Sequence, residues 1–85
     1  MNWDLRVDKQ VKKFLKRIPR SDARHIDAII QELVFNPYAG DIEKMEGEED
    51  VWRRRVGAYR VLYQVFTRPR IIHVAEVKRR TSKTY

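Results

Sequence analysis

The stretch Val51 to Val65, VWRRRVGAYRVLYQV, seats four arginines, Arg53, Arg54, Arg55 and Arg60, among residues that otherwise read as buried strand. A guanidinium is costly to bury and rarely sits inside without a partner. Its flat fork of donors fits two oxygens of a phosphate. Arginines crowded into one strand pair therefore mark either an exposed sheet face or a place where phosphate goes. A second basic group, Lys78, Arg79 and Arg80, closes the last strand-like segment, and Lys83 and Tyr85 follow it.

Side chains alternate across a strand, so Arg53 and Arg55 share one face while Trp52, Arg54 and Val56 share the other. With Trp52 and Val56 in the core, Arg53 and Arg55 face the open side. Arg60 begins the next strand just after the Gly57-Ala58 turn, and the register of that turn decides whether it joins them. The charge distribution supports a polyanion partner. Residues 1 to 50 carry 9 Lys/Arg against 11 Asp/Glu, a net −2, whereas residues 51 to 85 carry 10 against 1, a net +9, and eight of those ten are arginine. Such concentration is the electrostatic footprint of nucleic-acid binding, because neutralising phosphates releases counterions and steers approach.

These groups need a scaffold, and 85 residues allow one domain, 1–85, with a modest core. Asn2 to Val7 alternates as a short half-buried strand. Asp8 then caps a helix whose apolar stripe is Val11, Phe14, Leu15 and Ile18, ended by Pro19. Ala23, Ile26, Ile29, Ile30, Leu33 and Val34 trace a second helix running to Asn36-Pro37, packed antiparallel on the first. Residues 38–50, acidic and holding Gly40 and Gly47, read as a connecting loop with at most a short strand or turn. Strands over 51–56, 59–66 and 71–77 follow as consecutive hairpins. The expected fold is α+β, in the order β-α-α-β-β-β, an antiparallel sheet with the N-terminal helix hairpin on one face and the other face open. The sequence has no cysteine and no long apolar run, which excludes disulfides and thiolate metal sites and implies a soluble cytoplasmic protein. His25 and His73 lack metal-ligand spacing, so structural or surface roles are expected for both, with no metal and no cofactor.

Gly57-Ala58-Tyr59-Arg60-Val61-Leu62-Tyr63, the Lys44-Met45-Glu46-Gly47 segment and the ending from Lys78-Arg79-Arg80 through Tyr85, together with the helix hairpin, resemble the RelE branch of the RelE/ParE toxin superfamily over nearly the whole sequence. The resemblance implies a ribosome-dependent endoribonuclease that cuts messenger RNA in the decoding site. It also implies a monomeric toxin silenced in complex with a cognate RelB-like antitoxin, an acidic or amphipathic segment that wraps it. The basic pair of the strand before the Tyr-Arg element falls on Arg53 and Arg55, its arginine on Arg60, the arginine after the last strand on Arg79, and the C-terminal tyrosine on Tyr85. Arg54, Lys78, Arg80 and Lys83 are expected contacts to RNA or the ribosome. Two departures stand out. The family often carries lysines where this sequence has Arg53 and Arg55, which weakens a lysine proton-shuttle role. It usually has an apolar residue at Arg54, so either Arg54 snorkels at an edge or the strand register shifts by one.

Metal-free RNA cleavage uses the substrate's 2′-hydroxyl as nucleophile. The protein must help remove its proton, stabilise extra negative charge on phosphorus and protonate the leaving 5′-oxygen. Guanidinium performs the second task and not the first, since it does not deprotonate in proteins. Arg60, Arg79 and Arg55 are therefore expected to clamp the scissile phosphate, and Tyr85 to stack on a base and orient the message, with service as the general base, if the arginines depress its pKa, as its alternative role. Glu43 is a second candidate base. The rival readings are a ParE-like toxin that blocks DNA gyrase on the same fold, and a plain RNA-binding module.

Overall fold

The computed structural model describes residues 3–80. Along the chain run β1 (Asp4–Val7), α1 (Lys9–Leu15), α2 (Arg20–Leu33), β2 (Ile42–Lys44), β3 (Val51–Val56), β4 (Tyr59–Thr67) and β5 (Arg70–Arg79). Asp8 caps α1 in extended backbone, its carboxylate accepting from the Gln10 amide at 3.0 Å. Pro19 precedes the first residue of α2, where a missing N–H costs nothing. The inner face of α2 carries Ile26, Ile29, Ile30 and Leu33, all buried, at the spacing of a helical stripe.

The strands form one sheet in the order β1-β5-β4-β3-β2. Strand β4 alternates buried and half-buried residues from Tyr59 to Val65, so Tyr59, Val61, Tyr63 and Val65 point into the core with Val56, Ile72, Val74 and Val77. Val11 of α1 and the isoleucine stripe of α2 close that core from above. Fully burying each such side chain contributes about 1.5–3 kcal/mol, so the inner face holds the sheet to the helices.

The α+β class, with the helix pair covering one sheet face, is as expected from the patterning. The short strand allowed for in the 38–50 segment is present, and one feature goes beyond the patterning. The 38–50 segment supplies a three-residue edge strand, β2, paired antiparallel with β3. The sheet is mixed, because β1 lies parallel to β5, with Leu5 opposite Ile72. The partner and direction of a four-residue strand depend on residues far along the chain, which local alternation does not encode. Its ladder continues into the α1 cap, where the Asp8 amide donates to the Val74 carbonyl at 2.9 Å. A bulge interrupts the β4–β5 pairing: Leu62 faces Glu76 but Tyr63 faces Val74, so Ala75 is left over. The Gln10 amide side chain donates to the Ala75 carbonyl at 2.9 Å.

Candidate functional site

The two-residue turn at Gly57-Ala58 sets the register that matters most. Gly57 has φ +57, a left-handed conformation suited to glycine, and the tight turn places Arg55 directly opposite Arg60, with Arg53 opposite Leu62. Opposed residues of an antiparallel pair share a face, so Arg53, Arg55 and Arg60 all project from the open side of the sheet. On β5, Lys78 lies opposite Arg60 on that same face. Arg80, two residues on, returns to the open side. Its amide donates to the Ala58 carbonyl at 2.7 Å and its guanidinium to the Gly57 carbonyl at 3.2 Å. The result is a cleft of about 160 Å³ lined by Asp41, Glu43, Arg53, Arg55, Arg60 and Arg80.

Two carboxylates share the cleft with the four guanidiniums. Glu43, opposite Arg53 across the β2–β3 pair, accepts from its Nη2 at 2.6 Å and its Nε at 3.1 Å. Asp41 accepts from Arg55 Nε at 2.8 Å, while its backbone carbonyl accepts the Arg55 amide at 2.9 Å. Among the described residues no carboxylate pairs with Arg60 or Arg80, and Arg80 Nε is buried without a partner. Arg55 and Arg60 face each other as like charges, an arrangement that is destabilising unless an anion comes between them. The arrangement can bind a phosphate and stabilise added negative charge on it.

Two of the expected site arginines lie on the other side of the sheet. Arg79 stands opposite the buried Tyr59, with its guanidinium 4.9 Å from the ring centroid and its Nη2 donating to the Tyr59 hydroxyl at 3.1 Å. The Tyr59 hydroxyl in turn donates to Asp22 of α2 at 2.8 Å. The expected convergence of Arg79 with Arg55 and Arg60 is thus corrected: the cleft is completed by Arg80. The reason is strand alternation, since the buried Val77 carries Arg79 to its own side and Lys78 and Arg80 to the opposite one.

Arg54 likewise shares the face of Trp52 and Val56, as its position in β3 implies. Its guanidinium runs beneath the Ala39-Gly40 turn, where Nη1 donates to the Ala39 carbonyl at 3.2 Å and Nε is buried without a partner. Gly40 is favoured there by its φ of +88, and a Cβ would force the Arg54 guanidinium to shift. Arg54 therefore braces a turn, and is not among the groups that open onto the cleft. Lys83 and Tyr85 lie outside the described residues.

Patterning alone missed Asp41, which sat in a segment read as loop, and gave Arg80 a lesser place. The alternation through Val77 carried the Arg80 signal; nothing local carried Asp41, because its position depends on β2 joining the sheet. The two buried tyrosines of β4 hold their protons more tightly than a free phenol. Burial, then the hydrogen bond to Asp22, raises the Tyr59 hydroxyl above its usual pKa, with Arg79 acting in the opposite direction. Burial pushes Tyr63 up to about 12 against the pull of Arg54, and its hydroxyl donates to the Pro37 carbonyl at 2.6 Å.

With this geometry in place, the comparisons with known proteins are decisive for the family. The family model described as ParE toxin of type II toxin-antitoxin system, parDE, matches residues 2–83. A curated relative, toxin RelE1 of Methanocaldococcus jannaschii, is 34% identical over 83 residues, covering 94% of this chain and 92% of the relative. The archaeal RelE–RelB complex from Pyrococcus horikoshii OT3 contains a chain that matches with a TM-score of 0.84 and 30% identity, over 98% of this chain and all 100% of that one. The isolated E. coli RelE toxin matches in fold, with a TM-score of 0.80 at 18% identity over 95% of this chain and 87% of that one. The chain belongs to the RelE/ParE superfamily of type II toxin–antitoxin toxins. Within that superfamily it is RelE-like, as the archaeal relatives indicate. Among the described residues no helix is long and apolar enough to cross a membrane.

Proposed function

We propose that this toxin is a metal-independent endoribonuclease that cuts messenger RNA in the ribosomal A site by attack of the substrate's own 2′-hydroxyl, acting in the cytoplasm as one domain. The observation that carries this reading is the meeting of Arg53, Arg55, Arg60 and Arg80 in one open cleft. A scissile phosphate between Arg55 and Arg60 relieves their mutual repulsion, and the same forks take up the charge that grows on phosphorus as the 2′-oxygen attacks. Water exclusion by the ribosome strengthens each of those contacts.

In this reading Arg80 takes the place expected of Arg79. Arg79 is a positioning residue, which holds the end of β5 on Tyr59 so that Arg80 turns into the cleft. Lys78, on the open face, contacts the RNA backbone. Tyr85 stacks on a base to orient the message, and Lys83 binds ribosomal or messenger phosphate. The archaeal relatives from Pyrococcus horikoshii and Methanococcus jannaschii were solved as complexes with RelB, which supports a cognate RelB-like antitoxin holding a single copy of this toxin silent.

Primer extension on ribosome-programmed message tests the proposal. Purified toxin is expected to cut at A-site codons and leave a 2′,3′-cyclic phosphate, with cleavage lost in Arg60→Ala. The rival is a ParE-like toxin that blocks DNA gyrase on the same fold, a reading that the RelE relatives do not favour. Intact message alongside trapped gyrase–DNA complexes would overturn the nuclease reading in its favour.

A further inference from the structure

We propose that Asp41 and Glu43 form a carboxylate gate over the arginine cleft, which keeps Arg53 and Arg55 from retaining RNA outside the ribosome. The proposal rests on reading the cleft as a phosphate clamp. Glu43 occupies Nε and Nη2 of Arg53, two nitrogens of the fork that would grip a phosphate. Asp41 occupies Nε of Arg55. Carboxylate and phosphate therefore compete for the same donors. Four guanidiniums against two carboxylates leave the cleft a net +2, half of what its arginines alone would give.

The gate is built into the backbone. Asp41 follows Gly40, whose left-handed turn is braced from below by Arg54 through the Ala39 carbonyl. The Ile42 amide donates to the Gly40 carbonyl at 3.0 Å, and the Arg55 amide to the Asp41 carbonyl at 2.9 Å. Glu43 is held by the β2–β3 pairing opposite Arg53. These bonds aim both carboxylates at the cleft with no bound ligand needed.

The gate is also weak enough to open. The Arg55 and Asp41 side chains are 55% and 59% exposed, and Glu43 is 66% exposed against 30% for Arg53, so the Asp41 pair is solvent-screened on both sides and the Glu43 pair on its carboxylate side, where such contacts contribute little. A message held in the decoding site at high local concentration displaces the carboxylates. A free strand must do so unaided, and arginines already neutralised release fewer counterions on contact.

The test uses the full-length toxin and a labelled single-stranded oligodeoxyuridylate, which lacks the 2′-hydroxyl and cannot be cut, in anisotropy titrations across a range of salt. The double variant Asp41→Asn/Glu43→Gln is expected to bind roughly tenfold tighter at low ionic strength. Its log–log salt slope should steepen by about 1.4, for two further phosphate contacts on a single strand. Adding Arg53→Gln and Arg55→Gln should remove the gain, and the charge-conserving pair Asp41→Glu/Glu43→Asp should keep the wild-type slope, which separates the gate from any folding defect. Unchanged or weaker binding by the neutral variant overturns the gate. So does loss of ribosome-dependent cleavage in Glu43→Gln at unchanged affinity, which would make that carboxylate part of the chemistry. A wild-type toxin that leaves ribosome-bound message intact, while the neutral variant still gains affinity, retires the nuclease reading and leaves the gate standing as a control on RNA binding.

Discussion

Arg54 and Arg55 are neighbours in β3 and identical in chemistry, yet the strand sends them to opposite sides of the sheet. Arg55 meets Arg60 and Asp41 in the open cleft. Arg54 lies under the Ala39-Gly40 turn on the helix side. The same split recurs at the end of β5, where Arg79 rests on Tyr59 and Arg80 opens onto the cleft. One set of arginines is available to a phosphate and the other holds the scaffold together. Residue type and sequence proximity do not distinguish them; strand parity does.

This contrast can be broken from either side. Arg60→Ala, on the open face, is expected to lower ribosome-dependent cleavage about 10²–10³-fold, the scale for losing one charge-stabilising donor, while urea unfolding stays near wild type. Gly40→Val, on the braced side, should do the reverse of that pattern. Strain at positive φ, with displacement of the Arg54 guanidinium, is expected to cost about 1–3 kcal/mol in urea unfolding. Arg79→Ala should cost about 1–2 kcal/mol of stability, by removing the stack on Tyr59 and the hydrogen bond to its hydroxyl.

The smallest effect is expected at Tyr63. Tyr63→Phe leaves the Pro37 carbonyl without its buried donor, at a cost of about 1 kcal/mol near neutral pH. The wild-type hydroxyl stays protonated in the folded state up to about 12 but ionises at its ordinary 10.0 when unfolded. Its contribution is therefore complete below pH 10 and is lost as pH rises from 10.0 towards about 12. Thermal melts across that window should fall more steeply for wild type than for Tyr63→Phe.

Much of this was legible in the sequence because it is periodic. The isoleucine stripe of α2, the alternation from Tyr59 to Val65 and the split of Arg53 and Arg55 from Arg54 follow from spacings of 3.6 and 2. The placement of Arg79 was legible by the same rule through Val77, although the family resemblance put the catalytic expectation on Arg79 and gave Arg80 only an RNA contact. What was not legible is what depends on distant partners. The parallel pairing of β1 with β5 joins the two ends of the described chain, and the bulge at Ala75 and the capture of Asp41 by Arg55 depend on the register of neighbouring strands, with no local residue signature.

The most direct measurement compares Arg80→Ala with Arg79→Ala in single-turnover cleavage of ribosome-bound message, at a temperature where both variants are folded. The account predicts a loss of about 10²-fold or more for Arg80→Ala, and a loss at least tenfold smaller for Arg79→Ala. Equal activity of Arg80→Ala and wild type, with cleavage abolished in Arg79→Ala, would contradict it.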